Sequence, residues 1–185
     1  MRRAAVLATL LAAALAVPAG AAGPQIRDAR GDYSVGSQDI TSGRFFTAAG
    51  RLQIDLTLAA APGVPSVYVV GFSLGRGDAC RGFNARVMWN GAAETSVAQL
   101  LSGECTADSI AEGTLHDTTF EVRGSTVRMA VPLVDGLRRG ERLHSLFAYS
   151  ATGVWVAAGG TLNDPDFTTG DVAFPRPRTT YVIGR

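Results

Sequence analysis

Lysine is absent from this 185-residue chain, and cysteine and histidine occur only twice each. All 17 basic residues are therefore arginines, set against 16 acidic residues. The lack of lysine is typical of a GC-rich genome, whose codons favour Arg, Ala, Gly and Val together, so it indicates no functional need for guanidinium groups. Two isolated cysteines without a nearby histidine are also too few for a zinc site.

Two familiar catalytic motifs are missing as well. The sequence contains no His-Glu-x-x-His motif and no phosphate-binding glycine loop. We expect His144 to be an exposed strand residue and His116 to lie in a loop. Catalysis therefore has little support, although a pair of carboxyl groups that converge only in space would leave no sequence pattern.

An uncharged, strongly apolar run follows two arginines at the N-terminus. Arg2 and Arg3 precede the apolar residues 4–17, and small residues at Ala19 and Ala21 follow. This order is typical of a Sec-type secretory signal peptide cleaved after residue 21, and the run is shorter than the roughly twenty residues of a membrane span. A cut one residue later is the alternative. A twin-arginine signal is disfavoured because the residues after the arginine pair lack the usual context.

The remaining residues, 22–185, are expected to form one domain, since their number suits a single buried core. Without Arg2 and Arg3, fifteen arginines face sixteen acidic residues. The predicted mature chain is therefore nearly neutral, which gives no overall basic field to attract nucleic acid. No further segment is long and apolar enough to be an integral membrane span.

Cys80 and Cys105 both lie in the predicted secreted part. Outside the reducing cytosol, an even pair of cysteines is most simply one disulfide. A redox-active pair would need a Cys-x-x-Cys spacing, which the chain lacks. We therefore predict a structural disulfide, which by chain entropy would contribute roughly 3.5 kcal/mol for a loop of about 25 residues.

Short runs of alternating or β-branched apolar residues occur along the chain, and no segment keeps a helical period for three turns. About eight to ten strands are predicted, with little helix. They cover residues 39–47, 52–58, 66–73, 83–89, 97–101, 120–122, 127–131, 143–149, 154–156 and 179–183. Strand after strand without intervening helices indicates an all-β, antiparallel β-sandwich of jelly-roll type.

Two acidic clusters lie near opposite ends of the predicted mature chain. The first contains Asp28, Asp32 and Asp39, and the second contains the acidic residues of the segment 163–171. Carboxylates in loops can hold Ca²⁺ together with backbone carbonyls. The same residues are also common in ordinary turns. Ordinary turns and a calcium site therefore both remain as interpretations, and the first cluster is the better candidate for a structural calcium site.

The spacing Asp28-x-x-Gly-Asp32, then Asp39-Ile40 and a Leu-x-Ile-x-Leu strand, resembles the opening of DOMON-like and family-9-like carbohydrate-binding modules. These are extracytoplasmic β-sandwiches, some of which bind sugars or haem and hold structural calcium. The resemblance covers residues 28–58 and the later strand rhythm. It implies that Asp28, Asp32 and Asp39 match the acidic opening. The chain departs from it in lacking a clear Met/His pair for haem and an obvious pair of exposed tryptophans.

Aromatic residues are the candidates for stacking on a sugar. Trp89 is in phase with Phe83 and is expected in the core. Trp155 is out of phase with its valine neighbours, so it is the candidate platform, with Tyr149 or Tyr68 assisting.

The resulting hypothesis is a secreted, non-catalytic module whose ligand is a carbohydrate or another cell-envelope component. The alternatives are an extracellular hydrolase and a structural or interaction protein of the envelope without a small ligand.

Overall fold

Antiparallel strands make up most of the computed structural model, which describes residues 23–105, 113–152, 168–173 and 179–184. Within these ranges no helix is long and apolar enough to cross a bilayer. The predicted signal peptide and the predicted strand 154–156 lie outside the described residues. The described helical structure consists of two single 3-10 turns, Gly77–Ala79 and Ala93–Thr95.

The described ranges contain twelve strands, somewhat more than predicted because three short ones had no clear sequence pattern. Their bounds are β1 (Ile26–Arg27), β2 (Ile40–Ala48), β3 (Arg51–Leu58), β4 (Ser66–Leu74), β5 (Arg81–Trp89), β6 (Val97–Glu104), β7 (Thr114–Asp117), β8 (Thr119–Arg123), β9 (Thr126–Val131), β10 (Arg142–Thr152), β11 (Thr168–Ala173) and β12 (Tyr181–Val182). The unpredicted ones are β1, β7 and β11.

The strands form two sheets, and neighbouring strands within each sheet are antiparallel. One has five strands in the order β1-β2-β3-β9-β8, and the other is β11-β10-β4-β5-β6-β7, with β12 beside β10. The pairs β3–β9 and β4–β10 join strands that are far apart in sequence. The predicted all-β, antiparallel β-sandwich is confirmed.

One hydrophobic core joins the sheets. Phe45 of β2 meets Phe72 of β4 edge to face, with ring centroids 5.9 Å apart, and Phe72 stacks on Phe83 of β5 at 5.3 Å. Trp89 is 8% exposed and belongs to this core, as predicted. Such aromatic contacts add about 0.5–1.5 kcal/mol each beyond the area they bury.

A short segment before β2 closes one end of the sandwich. The Tyr68 hydroxyl donates to the Ser37 carbonyl at 2.7 Å, and the Ser150 hydroxyl donates to the Gln38 carbonyl at 2.6 Å. The Gln38 amide donates to Ser66 Oγ at 3.0 Å. Burial raises the pKa of Tyr68 to about 12, and a hydrogen bond with Ser66 opposes this. These bonds satisfy polar groups that would otherwise be costly to bury.

The predicted disulfide is present at the opposite end, which we call the disulfide end. Cys80 precedes β5 and Cys105 follows β6, with their Cα atoms 5.4 Å apart. The Cys105 N–H donates to the Cys80 carbonyl at 3.2 Å. The bond therefore joins two neighbouring strands of the seven-stranded sheet at their ends.

We expect a Cys80→Ser/Cys105→Ser variant to lose about 3–4 kcal/mol of unfolding free energy, because the disulfide restricts the unfolded chain. Urea denaturation at neutral pH measures this. The wild type in excess reductant serves as the control and should lose a similar amount. Unchanged midpoints in both would contradict the prediction.

Candidate functional site

A parallel pair of aromatic rings lies on the outer face of the seven-stranded sheet. The ring centroids of Phe147 and Tyr149 in β10 are 6.4 Å apart, and the ring planes are 5° from parallel. Both side chains are half-buried. A Cβ added to Gly71 would lie 2.0 Å from Phe147 Cζ, so the ring occupies the space above this glycine. Tyr149, predicted to bind ligand, thus has a partner that sequence reasoning missed.

A β-bulge in β10 explains why this pair faces outward. The register against β4 shifts between His144 and Phe147, and Ser145 has a left-handed φ of 49°. Leu143 points into the core before the bulge, whereas Leu146 does so after it, and both are at most 1% exposed. A bulge moves the following residues to the opposite face. Phe147 and Tyr149 therefore lie on the outer face of the sheet rather than in the core between the sheets, and Tyr149 packs there against the buried Val67, Val69 and Met88.

Polar side chains extend the outer face beyond the aromatic pair. Arg86 of β5 lies in the same cross-strand row as Tyr149, and Asn84 lies in the row of Phe147. Arg86 Nη2 donates to Gln99 Oε1 of β6 at 3.2 Å. Burial lowers the pKa of Arg86, partly opposed by Tyr149. Amide and guanidinium groups supply donors, and amide oxygens supply acceptors, of the kind that hydroxyl-rich ligands need.

A second polar group, found at the disulfide end, combines Ser102 of β6, His116 of β7 and Asp135 of the loop after β9. Ser102 Oγ donates a short hydrogen bond to Asp135 Oδ2. His116 Nε2 is 2.6 Å from the same oxygen and 3.1 Å from Ser102 Oγ. The prediction that His116 lies in a loop is wrong, because it pairs with Leu100 as part of β7. Sequence spacing offered no signal for this cluster, since its members come from three separate segments.

The cluster does not have the geometry of a nucleophilic triad. In a triad, one imidazole nitrogen faces the serine and the other faces the carboxylate. Here the same nitrogen of His116 faces both, and Ser102 is fully buried. The Ser102 hydrogen bond lowers the pKa of Asp135 most, burial opposes this, and His116 and Arg81 lower it further. These hydrogen bonds hold the loop after β9 against the disulfide end of the sandwich.

The three aspartates predicted to bind metal come from one region but differ in burial. Asp32 is exposed, and Asp28 Oδ1 accepts from the Ala29 N–H at 2.9 Å. Asp39 is 1% exposed, and its Oδ2 accepts from the Gly31 N–H at 2.6 Å. Among the described residues no group of three His, Cys, Asp or Glu side chains is placed to hold a metal. The calcium site stays a prediction.

Two other candidates fall where the structure gives no side-chain description. Trp155, the predicted platform, lies outside the described residues, as do Asn163, Asp164 and Asp166 of the second acidic cluster. Asp171 belongs to β11, but its side chain is not described.

No protein-family model, curated protein or solved structure matches this chain. The geometry of its own residues therefore carries the functional argument.

We expect Ser145→Gly to raise the unfolding free energy by about 0.5–1 kcal/mol, because the left-handed conformation costs a side-chain-bearing residue about 1–2 kcal/mol and glycine gives back part of this through its freer unfolded state. Urea denaturation measures the change. Ala151→Gly, in the same strand but with no left-handed backbone, is the control and should destabilise the fold. Equal destabilisation by both would argue against the bulge.

Proposed function

We propose that the chain is a secreted, non-catalytic β-sandwich module that binds a carbohydrate or another cell-envelope ligand. The observation that carries this is the parallel Phe147–Tyr149 pair on the outer face of the seven-stranded sheet. The resemblance of the acidic opening to DOMON-like and family-9-like modules points the same way. We call the surface formed by Phe147, Tyr149, Asn84, Arg86 and Gln99 the aromatic face.

The chemistry of the aromatic face suits a sugar. Flat rings can pack against the apolar C–H side of a pyranose, which removes apolar surface from water. The side chains of Asn84, Arg86 and Gln99 can hydrogen-bond to ring hydroxyls from the neighbouring strands. Because the rings stand on a rigid strand held by β4, their spacing needs little reorganisation on binding.

Secretion rests on two features that support each other. The N-terminal 21 residues have the order of a signal peptide. The Cys80–Cys105 disulfide is the kind of bond that persists in oxidising compartments. The proposal of a non-catalytic module is supported by the Ser102 cluster, in which the hydroxyl proton is already donated to a carboxylate.

A glycan array and polysaccharide pull-down with the purified protein test the proposal. We expect at least one glycan to bind, and Tyr149→Ala and Phe147→Ala each to weaken that binding about tenfold, as for the loss of one aromatic contact of about 1.4 kcal/mol. Isothermal titration calorimetry gives the affinities.

Phe46→Ala is the matched control, because Phe46 is a half-buried aromatic residue on the outer face of the other sheet. It should leave the affinity unchanged. Uniform failure to bind by the folded protein, or equal weakening by Phe46→Ala, would refute the assignment of the aromatic face.

We also propose that the acidic opening holds a structural Ca²⁺ ion. The supporting observation is Asp39 Oδ1, a buried carboxylate oxygen without a hydrogen-bond partner among the described residues. Calcium accepts backbone carbonyl oxygens and water beside carboxylates, so Asp39 needs few further side-chain ligands. Asp28 and Asp32 are the candidates for these.

If the ion is bound, EDTA should lower the melting temperature of the protein and added CaCl₂ should restore it, because a ligand that binds only the folded state stabilises it. Differential scanning calorimetry measures both. An Asp39→Asn variant should lose the response to EDTA. A wild-type melt that EDTA leaves unchanged would remove the calcium proposal.

A further inference from the structure

The outer face of the five-stranded sheet carries an excess of positive charge. Strand register places five arginines and two acidic residues on it: Arg27, Arg44, Arg51, Arg123, Arg128, Asp55 and Glu121. The face therefore has three more positive than negative side chains, although the predicted mature chain as a whole is nearly neutral. We call this surface the arginine face.

Asp55 holds two of these arginines in fixed positions. It accepts from Arg128 Nε at 2.6 Å and Arg128 Nη2 at 2.9 Å, and from Arg44 Nη2 at 2.7 Å. Burial alone would raise the pKa of Asp55, but the hydrogen bonds from Arg128 and Arg44 outweigh it and lower the pKa. One carboxylate thus accepts hydrogen bonds from two guanidinium groups, and the Arg128 and Arg44 side chains remain 31% and 37% exposed.

Phe46 fixes the same pair from the side. The guanidinium carbon of Arg44 lies 4.9 Å from the Phe46 ring centroid, and that of Arg128 lies 5.2 Å from it. Such cation–π contacts orient the planar groups. They also cover the aromatic ring, so it is a poor platform for nucleic-acid bases and a poor anchor for a lipid surface.

The other three arginines reach further into solvent. Arg27 and Arg51 are exposed, and the Arg123 side chain is 67% exposed beside Glu121. Between them lie hydroxyl-bearing residues, with Ser42 and Thr57 in the row of Arg27. Neighbouring strands are about 4.8 Å apart, so this row spaces cationic and hydroxyl groups over roughly 19 Å of sheet from β1 to β8.

We propose that the arginine face binds an acidic polysaccharide, one that carries carboxylate or sulfate groups along its length. Guanidinium forks match such planar or three-oxygen anions by paired hydrogen bonds. Interleaved hydroxyl side chains suit the sugar hydroxyls between the anions. The two outer faces of a sandwich point in opposite directions, so this interaction is separate from ligand binding at the aromatic face.

Surface plasmon resonance with immobilised polygalacturonate and heparin tests the proposal, with neutral dextran as the reference surface. We expect the full-length protein to bind at least one acidic polysaccharide and not dextran. Affinity should fall steeply as NaCl rises, because exposed charges are screened. Binding to polygalacturonate would show that carboxylate groups are sufficient, whereas binding to heparin alone would show that they are not.

An Arg51→Glu/Arg123→Glu variant should bind the acidic polysaccharide with an affinity about tenfold below that of the wild type. Arg76→Glu/Arg138→Glu makes the same change in net charge at exposed arginines outside this face, and it should keep nearly the wild-type affinity. Circular dichroism checks folding. If the first variant does not fold, Arg51→Gln/Arg123→Gln replaces it.

Three results would overturn the proposal. One is no binding to either acidic polysaccharide, and another is equal weakening by the two double variants, which would indicate a net-charge effect alone. The third is tighter binding to a DNA duplex at the same ionic strength, which would favour a nucleic-acid partner. A Tyr149→Ala variant should bind the acidic polysaccharide normally, so failure here and failure of the aromatic face are distinguishable.

Discussion

The β-bulge at Ser145 is the constraint on which the proposed binding surface depends. Strand β10 supplies Leu143 to the core before the bulge and Leu146 and Ala148 after it. Had the ladder continued without a shift, Phe147 and Tyr149 would point inward and their apolar neighbours outward. One residue with a left-handed backbone therefore determines whether this strand places two aromatic rings or an aliphatic stripe on the outer face of the sheet.

Polar contacts close the described ends of the sandwich, so the candidate binding surfaces are its outer faces. At one end, the segment before β2 is bonded to Tyr68 and Ser150. At the disulfide end, Asp135 is held by Ser102 and His116. The outer faces differ in chemistry, since one combines two aromatic rings with Asn84, Arg86 and Gln99, and the other carries five arginines. The secreted module that we propose would, with two such faces, be suited to cross-linking or anchoring on polymers rather than to enclosing a small molecule.

Much of the fold could be predicted because alternation and β-branched runs are local signals. The strands around Leu52, Tyr68 and Val127 and the core position of Trp89 followed from patterns within a few residues, whereas the disulfide followed from the even number of cysteines and the predicted signal peptide. The outward direction of Phe147 could not be predicted, because the apolar residues alternate regularly from Leu143 onward and the sequence therefore gives no sign of the bulge. The Ser102 cluster and the arginine face could not be predicted either, because both depend on the register between distant strands. The net charge of the chain also does not show how charge is distributed over its surface.

The most direct test of the central claim is an NMR titration of ¹⁵N-labelled protein with an oligosaccharide that binds in the glycan array. The account predicts that amide shifts change in β10, β4 and β5 around Phe147, Gly71 and Asn84. The signals of β3 and β9 should stay in place with a neutral sugar. Shift changes confined to other surfaces, with none around Phe147 and Tyr149, would contradict it.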